Sequence, residues 1–318
     1  MGRLVFVLLV IFISICGCVT NIYDITNPNP QIPLSIITPT PTLTPLIISN
    51  STTTAITQPT PTTNLTPTPL PSPHIDLIPK NLKTGEKDNT FYYYLYGEEN
   101  QLQFQLYSGV ISQIPNFTIS DNETIEEEIL HSLNNSYQDK YLAPLIQKIK
   151  DRTHSQDEAA RLAISMVQEI KYSEPTYDDY IPPYFVLYYK EGRCLDKSML
   201  LVYLLSKLGY ETVLFYYPEE SHAAVGIKVL PGYGNYDTQY MFIESTRPAI
   251  ISYPDEMLHT VPLRIPISNG IAFESIMPDY NDALIFSRIS NRMANHTESI
   301  EDLLEYNRII TKYRLDVP

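Results

Sequence analysis

Cys194, His222 and Glu244 are the residues whose types and order point to chemistry. A thiol, an imidazole and a carboxylate can act as nucleophile, base and the group that orients the base. All three fall in one stretch from Gly192, which reads GRCLDKSMLLVYLLSKLGYETVLFYYPEESHAAVGIKV, then a polar turn, then YMFIEST. The elements that must position them follow from the pattern of the stretch. Leu195, Met199, Val202, Leu205 and Leu208 recur at three- and four-residue spacing, which predicts a buried helix from Cys194 to Leu208. Gly209 supplies its stop, and Gly192 permits a tight entry ahead of it. Cys194 then sits at the helix N-terminus, where free N–H groups and the macrodipole favour a thiolate and can hold an oxyanion.

Thr212 to Tyr217 is β-branched and aromatic and predicts a strand ended by Pro218. His222 opens a second strand running to Val229, and a third runs from Tyr240 to Glu244, across a turn-rich Pro231–Asn235. A hairpin centred near Tyr233 sets His222 directly opposite Glu244, at about 4.5–5.5 Å between Cβ atoms. Glu244 then holds one ring nitrogen of His222 while the other faces Cys194. Singly, each residue has a plainer reading: a Cys with apolar flanks is usually a small buried hydrophobe, and a His or Glu at a strand end is usually solvated. The ordered set, on helix, strand and strand, is what points to a site.

The run G-R-C-L-D-K-S, then L-L-S-K-L-G-Y, then S-H and I-E-S-T resembles the transglutaminase-like superfamily, on the papain-like cysteine-enzyme fold, and most resembles its microbial and archaeal surface branch. The likeness covers about residues 155–250. It implies an α+β, papain-like core with the nucleophile helix packed on an antiparallel sheet, and a Cys194–His222–Glu244 triad. The family's acid is more often Asp, and several members carry a Trp beside the cysteine or after the histidine. This chain has no Trp, and Ala223-Ala224 follows His222. The resemblance thus leaves the second oxyanion donor unassigned, with Tyr188 and Tyr189 as candidates.

Met1-Gly2-Arg3 followed by the apolar run Leu4–Ile15 has the make-up of an export leader and is short for a membrane span of about 20 residues. Ile15-Cys16-Gly17-Cys18 resembles a lipoprotein processing box, with Cys18 as the lipidated residue; the alternative is an uncleaved anchor. Residues 1–18 are therefore the expected leader. Residues 19–80 are a Pro/Thr-rich stalk with repeated Thr-Pro pairs, which form no core. Sequons at Asn50, Asn64, Asn116, Asn122, Asn134 and Asn295 make glycosylation plausible on an exported chain. Residues 81–318 are the expected folded domain.

In that domain Phe91–Tyr96 and Gln101–Tyr107 predict a hairpin around Gly97–Asn100. One or two helices are expected over Ile125–Ile149, broken near Asn134-Asn135 and Pro144. Ser155 and Glu158 predict a capping box for a helix to Ile170, with Ala159, Leu162, Ala163, Met166, Val167 and Ile170 on one side. Tyr184, Phe185, Tyr188 and Tyr189 suit either a cleft wall or ordinary core. A closing helix over Thr297–Tyr313 is expected to pack through Ile300, Leu303, Leu304 and Ile310.

The net charge of −14, from 22 basic and 36 acidic residues, argues against a nucleic-acid partner. The remaining histidines show no ligand spacing, so neither metal nor cofactor is expected. With Cys16 and Cys18 in the leader region, Cys194 is left without a disulfide partner. The expected function is a surface-anchored, extracytoplasmic cysteine enzyme acting on amide or peptide bonds of a peptide, protein or cell-envelope substrate, with hydrolysis favoured over cross-linking. The alternative is a non-catalytic binding module that keeps the fold.

Overall fold

The computed structural model describes residues 79–114, 124–173, 181–254 and 258–315, all within one unit, Ile75–Pro318. The expected leader, Cys18 and the stalk as far as residue 78 lie outside the described residues.

After a short turn at Lys80–Leu82, β1 (Glu86–Leu95) and β2 (Glu98–Tyr107) form a hairpin closed by Tyr96 and Gly97. Both turn residues have positive φ, 56° and 83°. This two-residue turn suits the right-handed twist of the flanking strands, so it is tighter than the four-residue turn expected from the sequence. Next come α1 (Ser108–Ile111), α2 (Ile125–Leu133), α3 (Ser136–Asp151) and α4 (Gln156–Gln168). Asn134-Asn135 does separate two helices, since the Asn135 side chain accepts from the N–H groups of Tyr137 and Gln138 and caps α3. Pro144 does not break α3: buried Tyr141, Leu142, Leu145, Ile146 and Ile149 fix the helix on both sides of it. At α4, Ser155 caps Glu158 N–H as expected, but the Glu158 carboxylate accepts from His154 N–H instead of closing the box on Ser155. The six apolar positions expected to face inward from this helix are all buried.

The chain continues through β3 (Lys171–Tyr172), α5 (Pro183–Tyr189), β4 (Glu191–Gly192), α6 (Cys194–Lys207), β5 (Thr212–Tyr217), β6 (His222–Lys228), β7 (Tyr240–Ile243), β8 (Leu263–Ser268), α7 (Met277–Ala294) and α8 (Ile300–Tyr313). Among the described residues, β7-β6-β5-β8 form an antiparallel sheet, and the two-residue β3 and β4 pair in parallel. Helices and antiparallel sheet together make the fold class α+β.

Helix α6 is the centre of the packing. It contacts α4, α5, β5 and β6, and every residue from Leu195 to Leu205 is buried. A helix apolar all round belongs in a core. Its end is set by Gly209 at φ 97°, with Gly209 N–H on Ser206 O and Tyr210 N–H on Leu205 O, a Schellman closure. Ala223, Val225 and Ile227 of β6 join the main core, while Ala224 joins Val213, Phe215, Tyr217 and Phe242 in a second cluster, the two-residue alternation of a strand buried on both faces.

Two elements depart from the sequence pattern. β8 contains Pro266, which an edge strand tolerates because the N–H that proline lacks is not needed on its unpaired side. In α8 the expected apolar face points outward: Ile300 is 74 % exposed and Leu304 67 %. The buried positions are Asp302 and Ile309 instead.

Candidate active site

Helix α6 presents Cys194 as its first residue. The preceding Arg193 is extended, and Asp196 reaches back to accept from Arg193 N–H at 3.0 Å and Arg193 Nε at 3.1 Å. The other Asp196 oxygen accepts from Ile181 N–H at 3.1 Å, so one buried carboxylate ties the helix start to the entry of α5. Gly192 packs closely on this carboxylate: a Cβ there would stand 3.1 Å from the Asp196 Cβ, so Asp196 would have to shift by a few tenths of an ångström.

The β5–β6 turn, Pro218–Ser221, ends with Ser221 in the left-handed region, φ 50°. It brings the Ser221 carbonyl oxygen to 3.7 Å from Cys194 Sγ and delivers His222 beside the thiol. His222 pairs across the ladder with Tyr217, whose buried ring lies 6.0 Å from the imidazole. His222 Nε2 meets Glu244 Oε2 at 3.0 Å, which leaves Nδ1 as the ring nitrogen not engaged by the acid. The ring nitrogens are thus used in the opposite sense to a Ser-His-Asp triad, where Nε2 faces the nucleophile.

The register is not the one expected. Val225 pairs with Ile243, so continuing the ladder places Ala224 opposite Glu244 and His222 opposite Thr246. Because the slip is two residues, the side of the strand is kept. Glu244 therefore reaches His222 on the diagonal, and the contact is made although the direct opposition is not.

Glu244 is 3 % exposed and fully engaged. Its Oε1 accepts from Ser245 N–H (2.8 Å), Thr246 N–H (2.7 Å) and Thr246 Oγ1 (2.8 Å). Burial alone would push the carboxyl up, but the hydrogen bond and charge of His222 and the Thr246 donors hold it at about 2. Burial likewise opposes charge on His222, yet hydrogen bonds to Cys194 and Glu244, and the charges of both, raise it to about 10. The imidazolium is the form held beside Cys194.

Three residues of the site were missed in the sequence pattern: Asp196, Lys197 and Ser198, all fully buried directly after the cysteine turn. Ser198 Oγ donates to Ala223 O at 3.0 Å or to Ser245 Oγ at 2.8 Å, linking α6 to both β6 and the acid loop. Gln168, at the end of α4, donates from Nε2 to Glu244 O at 2.8 Å. The signal was present: a helix apolar on every side has no solvent face on which to put D-K-S.

Tyr184, Phe185 and Tyr188 of α5 are core, not a cleft wall. The Tyr188 hydroxyl donates to Gly85 O at 2.9 Å, so its proton is spent away from the oxyanion role considered for it. Tyr189 stacks edge-on against Tyr188 and is 44 % exposed. Among the described residues no group of three or more His, Cys, Asp or Glu side chains is placed to hold a metal ion. No protein-family model matches the chain, and neither a curated protein nor a solved structure does.

Proposed function

We propose that the chain is a transglutaminase-like cysteine enzyme acting on amide or peptide bonds through an acyl-enzyme, with a papain-like core built of α6 lying on β5 and β6. The observation that carries this reading is the Glu244–His222 contact, 3.0 Å long and anchored on a buried carboxylate, with the Cys194 thiol 3.7 Å from the carbonyl of the residue before His222. Such an arrangement keeps the imidazole charged and oriented beside the thiol.

In the proposed reaction the Cys194 thiolate attacks the amide carbonyl carbon, and the N–H groups at the start of α6 receive the developing oxyanion. His222 gives its Nδ1 proton to the departing amine nitrogen as the C–N bond breaks, leaving a thioester on Sγ. Water then attacks the thioester, its proton passing to His222, and the Cys194 thiolate leaves. Hydrolysis is favoured over transfer to an amine because no second-substrate amine site is legible. Glu244 holds the ring and stabilises its charge. The leader-like Leu4–Ile15 run and the Cys16-Gly17-Cys18 box support placing this enzyme at the cell surface on a lipid anchor, held off the membrane by the Thr-Pro stalk.

The test is intact-mass detection of a covalent adduct on Cys194 with amide and electrophilic probes, across pH. A paired thiolate alkylates at mildly acidic pH, while a structural thiol does not. An adduct formed at pH 5–6 and lost in Cys194→Ala supports the enzyme; a thiol that reacts only in alkaline solution leaves the non-catalytic binding module.

A further inference from the structure

Lys197 is 0 % exposed, and its three partners are carbonyl oxygens rather than carboxylates. Its Nζ donates to Thr246 O at 2.8 Å, to Gln168 O at 3.4 Å, and to Ile170 O. Gln168 is the last residue of α4 and Ile170 lies just past its C-cap, where unpaired carbonyls and the negative end of the helix dipole favour a cation. Thr246 is the residue whose N–H and hydroxyl grip Glu244 Oε1. Gln168 closes the frame by donating to Glu244 O. The nucleophile helix, the end of α4 and the acid loop therefore meet at one ammonium.

We infer that Lys197 is a positioning residue of this site: through Thr246 it fixes where the Glu244 carboxylate stands, and so how that carboxylate meets the His222 ring. The inference rests on the triad reading and adds to it the group that sets the acid's place. An ammonium offers three N–H donors to three acceptors, a match that a neutral amine, with two donors and a lone pair, does not make. Burial pulls Lys197 down from 10.5 to about 7, with the charges of Glu244 and Glu169 offsetting only part of the fall. The frame is thus complete in the protonated state and loses a donor as pH rises past neutrality.

The experiment titrates the His222 ring by NMR in the wild type, Lys197→Met and Lys197→Gln, with a thermal melt of each. If Lys197 places Glu244, Lys197→Met lowers the His222 midpoint from about 10 toward the ordinary 6.5. Lys197→Gln, whose amide supplies two N–H donors, gives a smaller fall. Removing a nearby positive charge without moving Glu244 acts in the opposite direction, raising the midpoint or leaving it in place. A midpoint unchanged or raised in a folded Lys197→Met therefore overturns the inference. So does failure of both variants to fold, which would make Lys197 a folding residue only. A wild-type midpoint near 6.5 is a separate result that removes the triad reading itself, and this inference with it.

Discussion

Glu244 meets His222 across the diagonal of the β6–β7 ladder: the rung belongs to Val225 and Ile243, and the 3.0 Å contact spans the step beyond it. A diagonal pair is separated by about 7–8 Å at the backbone, against 4.5–5.5 Å for a direct one. The extra methylene of Glu over Asp, about 1.5 Å, covers part of that gap.

Two substitutions at this position separate reach from charge. Glu244→Asp keeps the charge and shortens the arm by about 1.5 Å. It is expected to cost on the order of 10–10² in the rate of Cys194 acylation. Glu244→Gln keeps the length and can present an N–H donor to the ring, favouring the wrong tautomer. A loss on the order of 10–10³ is expected, less than in a serine triad because a thiolate is already a good nucleophile. Both are read from probe acylation rates; wild-type rates in both variants would remove Glu244 from the site.

The same pair gives folding stability a pH window. His222 is raised to about 10 from 6.5, so its contribution is complete below about 6.5 and is lost as pH climbs through 10. Glu244 is lowered to about 2 from 4.5, so its contribution is complete above about 4.5 and is lost as pH falls through 2. Urea midpoints should therefore peak between about 4.5 and 6.5 as far as this pair is concerned. His222→Gln should flatten the decline from pH 6.5 to 10 relative to wild type. A decline of the same slope in the variant would show that His222 does not titrate late.

Lipid attachment at Cys18 is expected to hold the protein at a membrane. Cys18→Ser should release it into the soluble fraction or leave an unprocessed precursor, as read by fractionation and intact mass. Unchanged membrane association at mature mass would assign anchoring to the apolar run instead.

Much of the site was legible because its positions obey local rules. The helix over Cys194–Lys207, its Gly209 stop and the strands opening at Thr212 and His222 all follow from periodicity and turn residues. The register did not, since a turn containing Pro231 and Gly232 allows more than one pairing and only packing chooses. The C-terminal helices were least legible, because their seam is ionic. Asp279 pairs with Arg161 at 2.6 Å, and Asp282 with Lys312 at 2.6 Å. Asp302 pairs with Arg292 at 2.9 Å. A seam of buried acids inverts the apolar face on which a periodicity argument relies. The D-K-S run was passed over for a related reason: periodicity weighs apolar positions, and these three buried residues are polar.

Asp196 offers the sharpest test of how the helix start is held. Its two oxygens accept from Ile181 N–H, Arg193 N–H and Arg193 Nε, all within 3.1 Å, and it is fully buried. Asp196→Asn keeps the volume but turns one acceptor into a donor facing N–H groups. Either the Ile181 bond or the Arg193 pair is then lost, and a buried donor left unmatched costs about 1–3 kcal/mol. The start of α6, where Cys194 sits, is the part of the helix left unfastened. We therefore expect a melting temperature lower by several degrees, about 2–4 °C per kcal/mol for a domain of this size. Cys194 acylation should slow by on the order of tenfold as the nucleophile loses its fixed position. Asp196→Glu, which keeps the charge but overfills the space beside Gly192, should recover neither. A variant that melts like wild type would show that the Asp196 contacts do not fasten this helix.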